Sequence, residues 1–201
     1  MNRTLVPLAL VPLLALAACG TDTGTVSPVS GAPASTAPAD PATGAPATPS
    51  AAAPAGLRPP TSTKEIEVAR TTVAPPIVTG ARFAEHKGFD RVVIDLDGEV
   101  PGYSARWVPK LVQDGSGDPI DVSGGAYLQL TMTPAAAHTE AGTPTWTGGP
   151  IFQARLGNVR NVVRTGDFEA VVGVGVVLER KAAFRVLEQK SPNRLVVDIA
   201  H

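Results

Sequence analysis

Apolar and polar residues alternate in short runs from residue 91 onward. In Arg91-Val92-Val93-Ile94-Asp95-Leu96-Asp97 a period of two places Val92, Ile94 and Leu96 on one face. Ala126-Tyr127-Leu128-Gln129-Leu130-Thr131-Met132 does the same with Leu128, Leu130 and Met132. Glu169 to Leu178 is dense in valine, with Gly173 and Gly175 where a bulge or a close approach fits. Phe184 to Gln189 and Arg194 to Ala200 are shorter alternating runs. Turn signals separate these segments at Asp97-Gly98, Asp114 to Asp118, Gly148-Gly149-Pro150, Thr165-Gly166-Asp167 and Ser191-Pro192-Asn193. Pro134 to His138 suits a single helical turn. Short strands punctuated by turns predict an all-β fold, a two-sheet antiparallel β-sandwich.

Two of these strands echo each other. Asp90-Arg91-Val92-Val93-Ile94-Asp95-Leu96 and Asn193-Arg194-Leu195-Val196-Val197-Asp198-Ile199 agree in residue type at every position. Valine and isoleucine alternation recurs by chance, whereas an arginine and an aspartate at the same offsets do so less readily. Two copies do not make a repeat protein. They predict equivalent strands near the two ends of a pseudo-symmetric sandwich.

The amino-terminal part has a different pattern. Arg3 precedes an apolar run from Leu5 to Leu16, then Ala17-Ala18 and Cys19, the single cysteine of the chain. This is the charged, apolar and small-residue order of an export signal. The alternatives are a membrane span and an ordinary cleaved signal. The apolar stretch is shorter than the roughly 20 residues a span requires, and Pro7 and Pro12 weaken a long helix. An ordinary signal leaves Cys19 as an unpaired thiol on an exported protein. A cysteine directly after the small residues resembles the lipobox of bacterial lipoproteins. That resemblance implies a signal over residues 1–18, diacylglycerol on Cys19 and attachment to the outer face of the cell membrane through the lipid.

Residues 19–72 are expected to form the lipidated terminus and a disordered linker. From Gly20 to Thr63 nearly every residue is Ala, Pro, Thr, Ser or Gly, with three charges, Asp22, Asp40 and Arg58. Such a composition buries too little apolar surface to offset the entropy of ordering. Its prolines favour extended segments, so about 45 residues reach on the order of 100 Å at most. Charges and β-branched residues appear together at Lys64-Glu65-Ile66-Glu67-Val68, and one folded domain is expected over residues 73–201.

Charge and composition exclude several functions. The formal net charge is −1 and no basic block occurs, which argues against nucleic acid as a partner. His86, His138 and His201 lack metal-ligand spacing, and no nucleophile-elbow motif is present. His138-x-Glu140 is too small a fragment for a zinc site. Asp114-x-Ser116-x-Asp118 mimics the start of a calcium loop, but Pro119 stands where glycine is needed and no closing glutamate follows. Asp95, Asp97 and Glu99 offer carboxylates for acid–base work or glycoside hydrolysis, but a solvated strand face is the stronger reading. No catalytic group, metal or cofactor is expected.

Three segments acquire meaning together: Gly88-Phe89-Asp90-Arg91-Val92-Val93-Ile94-Asp95, Val159 to Glu169, and Asn193 to His201. They resemble the AMIN-like domain, a family of actinobacterial lipoproteins and secreted proteins related to the AMIN domain of cell-wall amidases and secretins. The likeness covers the folded part and not the stalk, and the Pro101 to Gly149 region does not align with a plain AMIN domain. It implies a sandwich of two small sheets that brings an envelope protein to peptidoglycan or another wall polymer. Arg160, Arg164, Asp167 and Phe168 are the candidate ligand-binding residues, since arginine forks bind carboxylates and other anions. Tyr103, Trp107 and Trp146 are candidates to stack on sugar rings or to fill the core. The alternative function is a protein-interaction module that presents a loop or sheet edge to an envelope protein partner.

Overall fold

The computed structural model describes residues 58–201; the signal, Cys19 and most of the stalk lie outside the described residues. Two antiparallel sheets form. The strands in chain order are β1 Ile66–Val68, β2 Ile77–His86, β3 Phe89–Asp97, β4 Gly102–Val108 and β5 Ala126–Thr133. They continue as β6 Ile151–Gln153, β7 Val159–Phe168, β8 Val171–Leu178, β9 Phe184–Gln189 and β10 Arg194–Ala200. One sheet has six strands in the order β1-β4-β5-β8-β7-β6, the other four in the order β2-β3-β10-β9.

The two inner faces supply one core. Val92, Ile94, Leu195, Val197 and Ile199 of the four-stranded sheet belong to the same buried cluster as Leu128, Leu130, Met132, Val172, Val174 and Val176 of the other. All of these are essentially inaccessible to solvent, and full burial of such side chains stabilises by about 1.5–3 kcal/mol each. Alternation along β3 and β5 therefore reads directly as inside and outside.

β8 is buried along nearly its whole length. Its outer face is covered as well, by the connection between β4 and β5. Leu111 of that connection forms a second small core with Val163 and Val177, flanked by Val108, Ile120, Val122 and Tyr127. A Cβ added at Gly175 would stand 2.3 Å from Leu111 Cδ1, and one at Gly173 would stand 2.1 Å from Asp114 Oδ2. The two glycines thus mark a close approach: they leave room for the strap to lie on the sheet.

Four local expectations change. The folded unit reaches upstream of residue 73: β1 pairs with β4, Trp107 Nε1 donates to the Thr63 carbonyl at 2.9 Å, and Phe184 N donates to the Ser62 carbonyl at 2.7 Å. Those groups sit at sheet edges whose donors need partners. Pro134 to His138 forms no helical turn. Its backbone runs beside β2, with Val78 N donating to Ala136 O at 2.7 Å and Ala136 N to Pro76 O at 3.0 Å. Thr165-Gly166-Asp167 is not a turn either, but part of β7, where the register with β8 shifts between Arg164 and Gly166. The turn lies instead at Glu169-Ala170, both at positive φ (50° and 60°), so β8 starts at Val171 rather than Glu169.

Candidate functional site

The echoed strands are neighbours. β3 and β10 form the central pair of the four-stranded sheet, with Arg194 opposite Asp95 and Arg91 opposite Asp198. Because the arginine and aspartate stand four residues apart in both copies, antiparallel pairing sets each arginine against the other strand's aspartate. The outer strands add Arg82 of β2 and Arg185 of β9.

Rows across this outer face follow from the register. His86, Phe89 and Ala200 form the first row; Ala84, Arg91, Asp198 and Arg185 the second. Arg82, Val93, Val196 and Leu187 form the third, and Gly80, Asp95, Arg194 and Gln189 the fourth. Asp97 stands beyond these rows, at the strand end. Within these four rows, four guanidinium groups therefore face two carboxylates, a surplus of two positive charges.

The two aspartates are held differently. Asp198 has a fully buried side chain, whereas Arg91 and Arg185 beside it are 17 % and 22 % exposed. Arg91 Nε and Nη2 donate to its two oxygens at 2.7 and 3.0 Å. Arg185 Nε and Nη2 donate to Oδ2 at 2.9 and 2.7 Å. Both guanidiniums also lie over the Phe89 ring, at 5.4 and 5.7 Å from its centroid, and Phe89 stacks on His86 at 4.9 Å. Hydrogen bonding to Asp198 raises the Arg91 pKa further above its ordinary value. A buried carboxylate shared by two arginines fixes their planes, which is the preorganisation an anion-binding surface requires.

Asp95 is more open. Arg82 donates to it through Nε at 2.7 Å and Nη2 at 2.6 Å, and Arg194 Nε stands 3.9 Å away. Arg82 is 62 % exposed. Its hydrogen bonds to Asp95 raise its pKa, so it keeps its proton throughout the ordinary range.

The residues singled out on β7 do not converge. Arg160 is exposed and paired in fork geometry with Glu179, both contacts at 2.5 Å, and this hydrogen bonding lowers the Glu179 pKa. Arg164 donates through Nη1 to the Trp146 carbonyl. Asp167 Oδ2 meets His138 Nδ1 at 2.6 Å. Phe168 is 55 % exposed beside the Glu169-Ala170 turn. Register shifts near Arg160 and Thr165 break the period of two, so neighbours in sequence point to separate surroundings.

The other candidates are drawn into the fold. Trp146 is buried and stacked on Phe152 at 5.3 Å. Trp107 packs edge-on against Phe184 and carries Lys181 Nζ 4.9 Å from its ring centroid. Tyr103 donates to Glu188 Oε1 at 3.2 Å; burial first, then Glu188, pushes its phenol up to about 12. Asp114 turns toward the sheet rather than into a calcium loop, receiving Thr165 Oγ1 at 3.3 Å, and burial raises its pKa. Among the described residues no group of three or more His, Cys, Asp or Glu side chains is placed to hold a metal ion.

One cluster was not visible in the sequence. Asp90 is fully buried and accepts backbone N–H groups from Gly157, Asn158 and Val159 at 3.2, 2.6 and 2.7 Å. Asn158, also buried, donates through Nδ2 to Ala200 O at 2.9 Å. These bonds tie the start of β3 to the start of β7, and so one sheet to the other.

Against this geometry, residues 76–201 match the AMIN-like domain family. No curated protein and no solved structure matches the chain.

Proposed function

We propose that this chain, which belongs to the AMIN-like domain family, is a non-catalytic, lipid-anchored envelope module whose domain holds peptidoglycan or another anionic wall polymer. The observation that carries this reading is the outer face of the four-stranded sheet. There Arg82, Arg91, Arg185 and Arg194 outnumber Asp95 and Asp198. Guanidinium forks suit the carboxylates and phosphodiesters of a wall polymer, and the His86 ring, stacked on buried Phe89, borders the face. A face spread over four strands suits a long polymer, which gains affinity from many weak contacts rather than one deep pocket.

The sequence supports the anchor: Cys19 after Leu16-Ala17-Ala18 supplies the lipid attachment point, and the Pro-rich segment supplies reach. Feeding labelled palmitate to cells tests it. Label in the chain, lost in Cys19→Ser, supports anchoring; equal label in both excludes it. Wall binding is tested by co-sedimentation of the domain with isolated, protein-free walls. Retention that falls as salt rises supports an electrostatic hold, and absence of retention at low salt overturns it.

Exposed Phe168 favours a second reading, a protein-interaction module that docks on an envelope partner through the β7–β8 turn. A photo-crosslinker at position 168 that captures one defined protein in cells, while bare walls retain nothing, selects this reading over the first.

A further inference from the structure

A concavity lies where the upstream segment meets the β3–β4 connection and the β9–β10 turn. Its volume is about 430 Å³, and Arg70, Glu99, Val100, Glu188, Lys190 and Asn193 line it. That is within the size range of small-molecule sites. Arg70 lies outside the family match at residues 76–201.

The lining divides into fixed and available groups. Arg70 Nη1 donates to the Val100 carbonyl at 3.0 Å and Nη2 to Glu188 Oε1 at 3.0 Å. Tyr103 donates to the same Oε1. Asn193 Nδ2 donates to the Gly98 carbonyl at 2.6 Å, bracing the turn against the β3–β4 connection. These bonds occupy Arg70 and one oxygen of Glu188. Among the described residues, neither Glu99 nor Lys190 has an ion pair, and Glu188 Oε2 has no hydrogen-bond partner.

A ligand entering the concavity therefore meets one available ammonium and two available carboxylate groups in front of a fixed arginine. Arg70 and Lys190 balance Glu99 and Glu188, so the lining as a whole is neutral. An anion would satisfy Lys190 and face the glutamates unpaired; a simple cation would do the reverse. The charge-complementary occupant carries both signs.

We propose that this concavity binds a small zwitterion of the amino-acid type, a free amino acid or short peptide with both ends charged. Its carboxylate lies on Lys190 and its ammonium on Glu99 and Glu188 Oε2. This site goes beyond the polymer-binding reading and does not depend on it, since it shares no residue with the arginine face.

The test uses residues 58–201, which hold every described strand and both cores. Backbone amide NMR signals are followed during titration with alanyl-alanine, its C-terminal amide and its N-acetyl derivative. Free dipeptide is expected to shift the signals of Glu99, Lys190 and Asn193, with each capped form binding about tenfold more weakly, the worth of one charge-assisted hydrogen bond. Lys190→Met should abolish the difference between acid and amide while leaving the penalty of N-acetylation. Glu99→Gln should reduce that penalty. Both side chains are exposed and unpaired, so the variants keep the parent spectrum elsewhere. Absence of shifts at these residues, or equal binding of free and capped dipeptides, overturns the proposal. Neither result bears on wall retention, which stands or falls with the arginine face.

Discussion

Replacing Asp90 tests how the two sheets are joined. The carboxylate is fully buried and takes three backbone N–H groups, of which the Asn158 and Val159 bonds are short and buried while Gly157 lies nearer solvent. Asp90→Ala strands the two buried donors at about 1–3 kcal/mol each, and Gly157 can turn to water. The expected loss is about 4 kcal/mol, a large part of the roughly 5–15 kcal/mol available to a domain. Asp90→Asn behaves differently. Its carbonyl oxygen can take the place of Oδ2 and keep both short bonds, but its amide then points a donor at Gly157 N–H. That costs about 1–2 kcal/mol. Urea unfolding of both variants measures this, with a fall in midpoint at unchanged slope. A loss under about 1 kcal/mol for Ala, or an Asn variant as unstable as Ala, would refute the donor count.

The strap on the six-stranded sheet gives two more predictions. Gly175→Ala drives a methyl into Leu111 and should cost about 1–3 kcal/mol by thermal or urea unfolding, without changing the strand content. Asp114 has a raised folded pKa, so protonation favours the native state: its contribution is full below the unfolded pKa and is lost as pH rises through the folded value. Asp114→Asn should therefore be as stable as the parent or slightly more so at pH 7, with the difference vanishing near pH 3; a variant less stable at neutral pH contradicts the sign. Tyr103→Phe removes the phenol that ionises at about 12, so one high-pH step should disappear from the ultraviolet titration. Loss of its bond to Glu188 should cost about 1 kcal/mol.

Much of the fold can be read in residue order, and the reasons are local. β5 keeps a period of two with its inward positions buried, and β3 does so from Arg91 onward, whereas in β10 the outward Val196 and Asp198 are buried as well. β2 and β4 are less legible. β2 carries Gly80 and a register shift between Val78 and Gly80, and β4 is built from Gly102, Tyr103, Ser104 and Ala105, whose preference for a strand comes from pairing with β5. β1 is three residues that pair with a strand far away in sequence and lay Ile66 and Val68 against the core.

The arginine face is half legible. The echo shows Arg91, Asp95, Arg194 and Asp198 at matched offsets, but not that the two strands lie side by side. Arg82 and Arg185 arrive from strands with no echo. On β7 the sequence groups Arg160, Arg164, Asp167 and Phe168, whereas two register shifts distribute them. Asp90 reads as a turn residue in sequence, and only tertiary structure brings it the three amides it accepts.

Wall binding by the arginine face is tested most directly with Arg82→Gln/Arg194→Gln. These two removals cancel the surplus charge while Asp198 keeps Arg91 and Arg185; Asp95, which loses its partners, is 27 % exposed and can turn to water. The measurement is the dissociation constant for isolated wall polymer at several salt concentrations, with parent and double variant compared. The double variant should bind about tenfold or more weakly at low salt and show a flatter salt dependence, while Arg82→Lys/Arg194→Lys, which keeps the charge, retains most of the affinity. Equal affinity and equal salt slope in parent and Gln variant would contradict binding at this face.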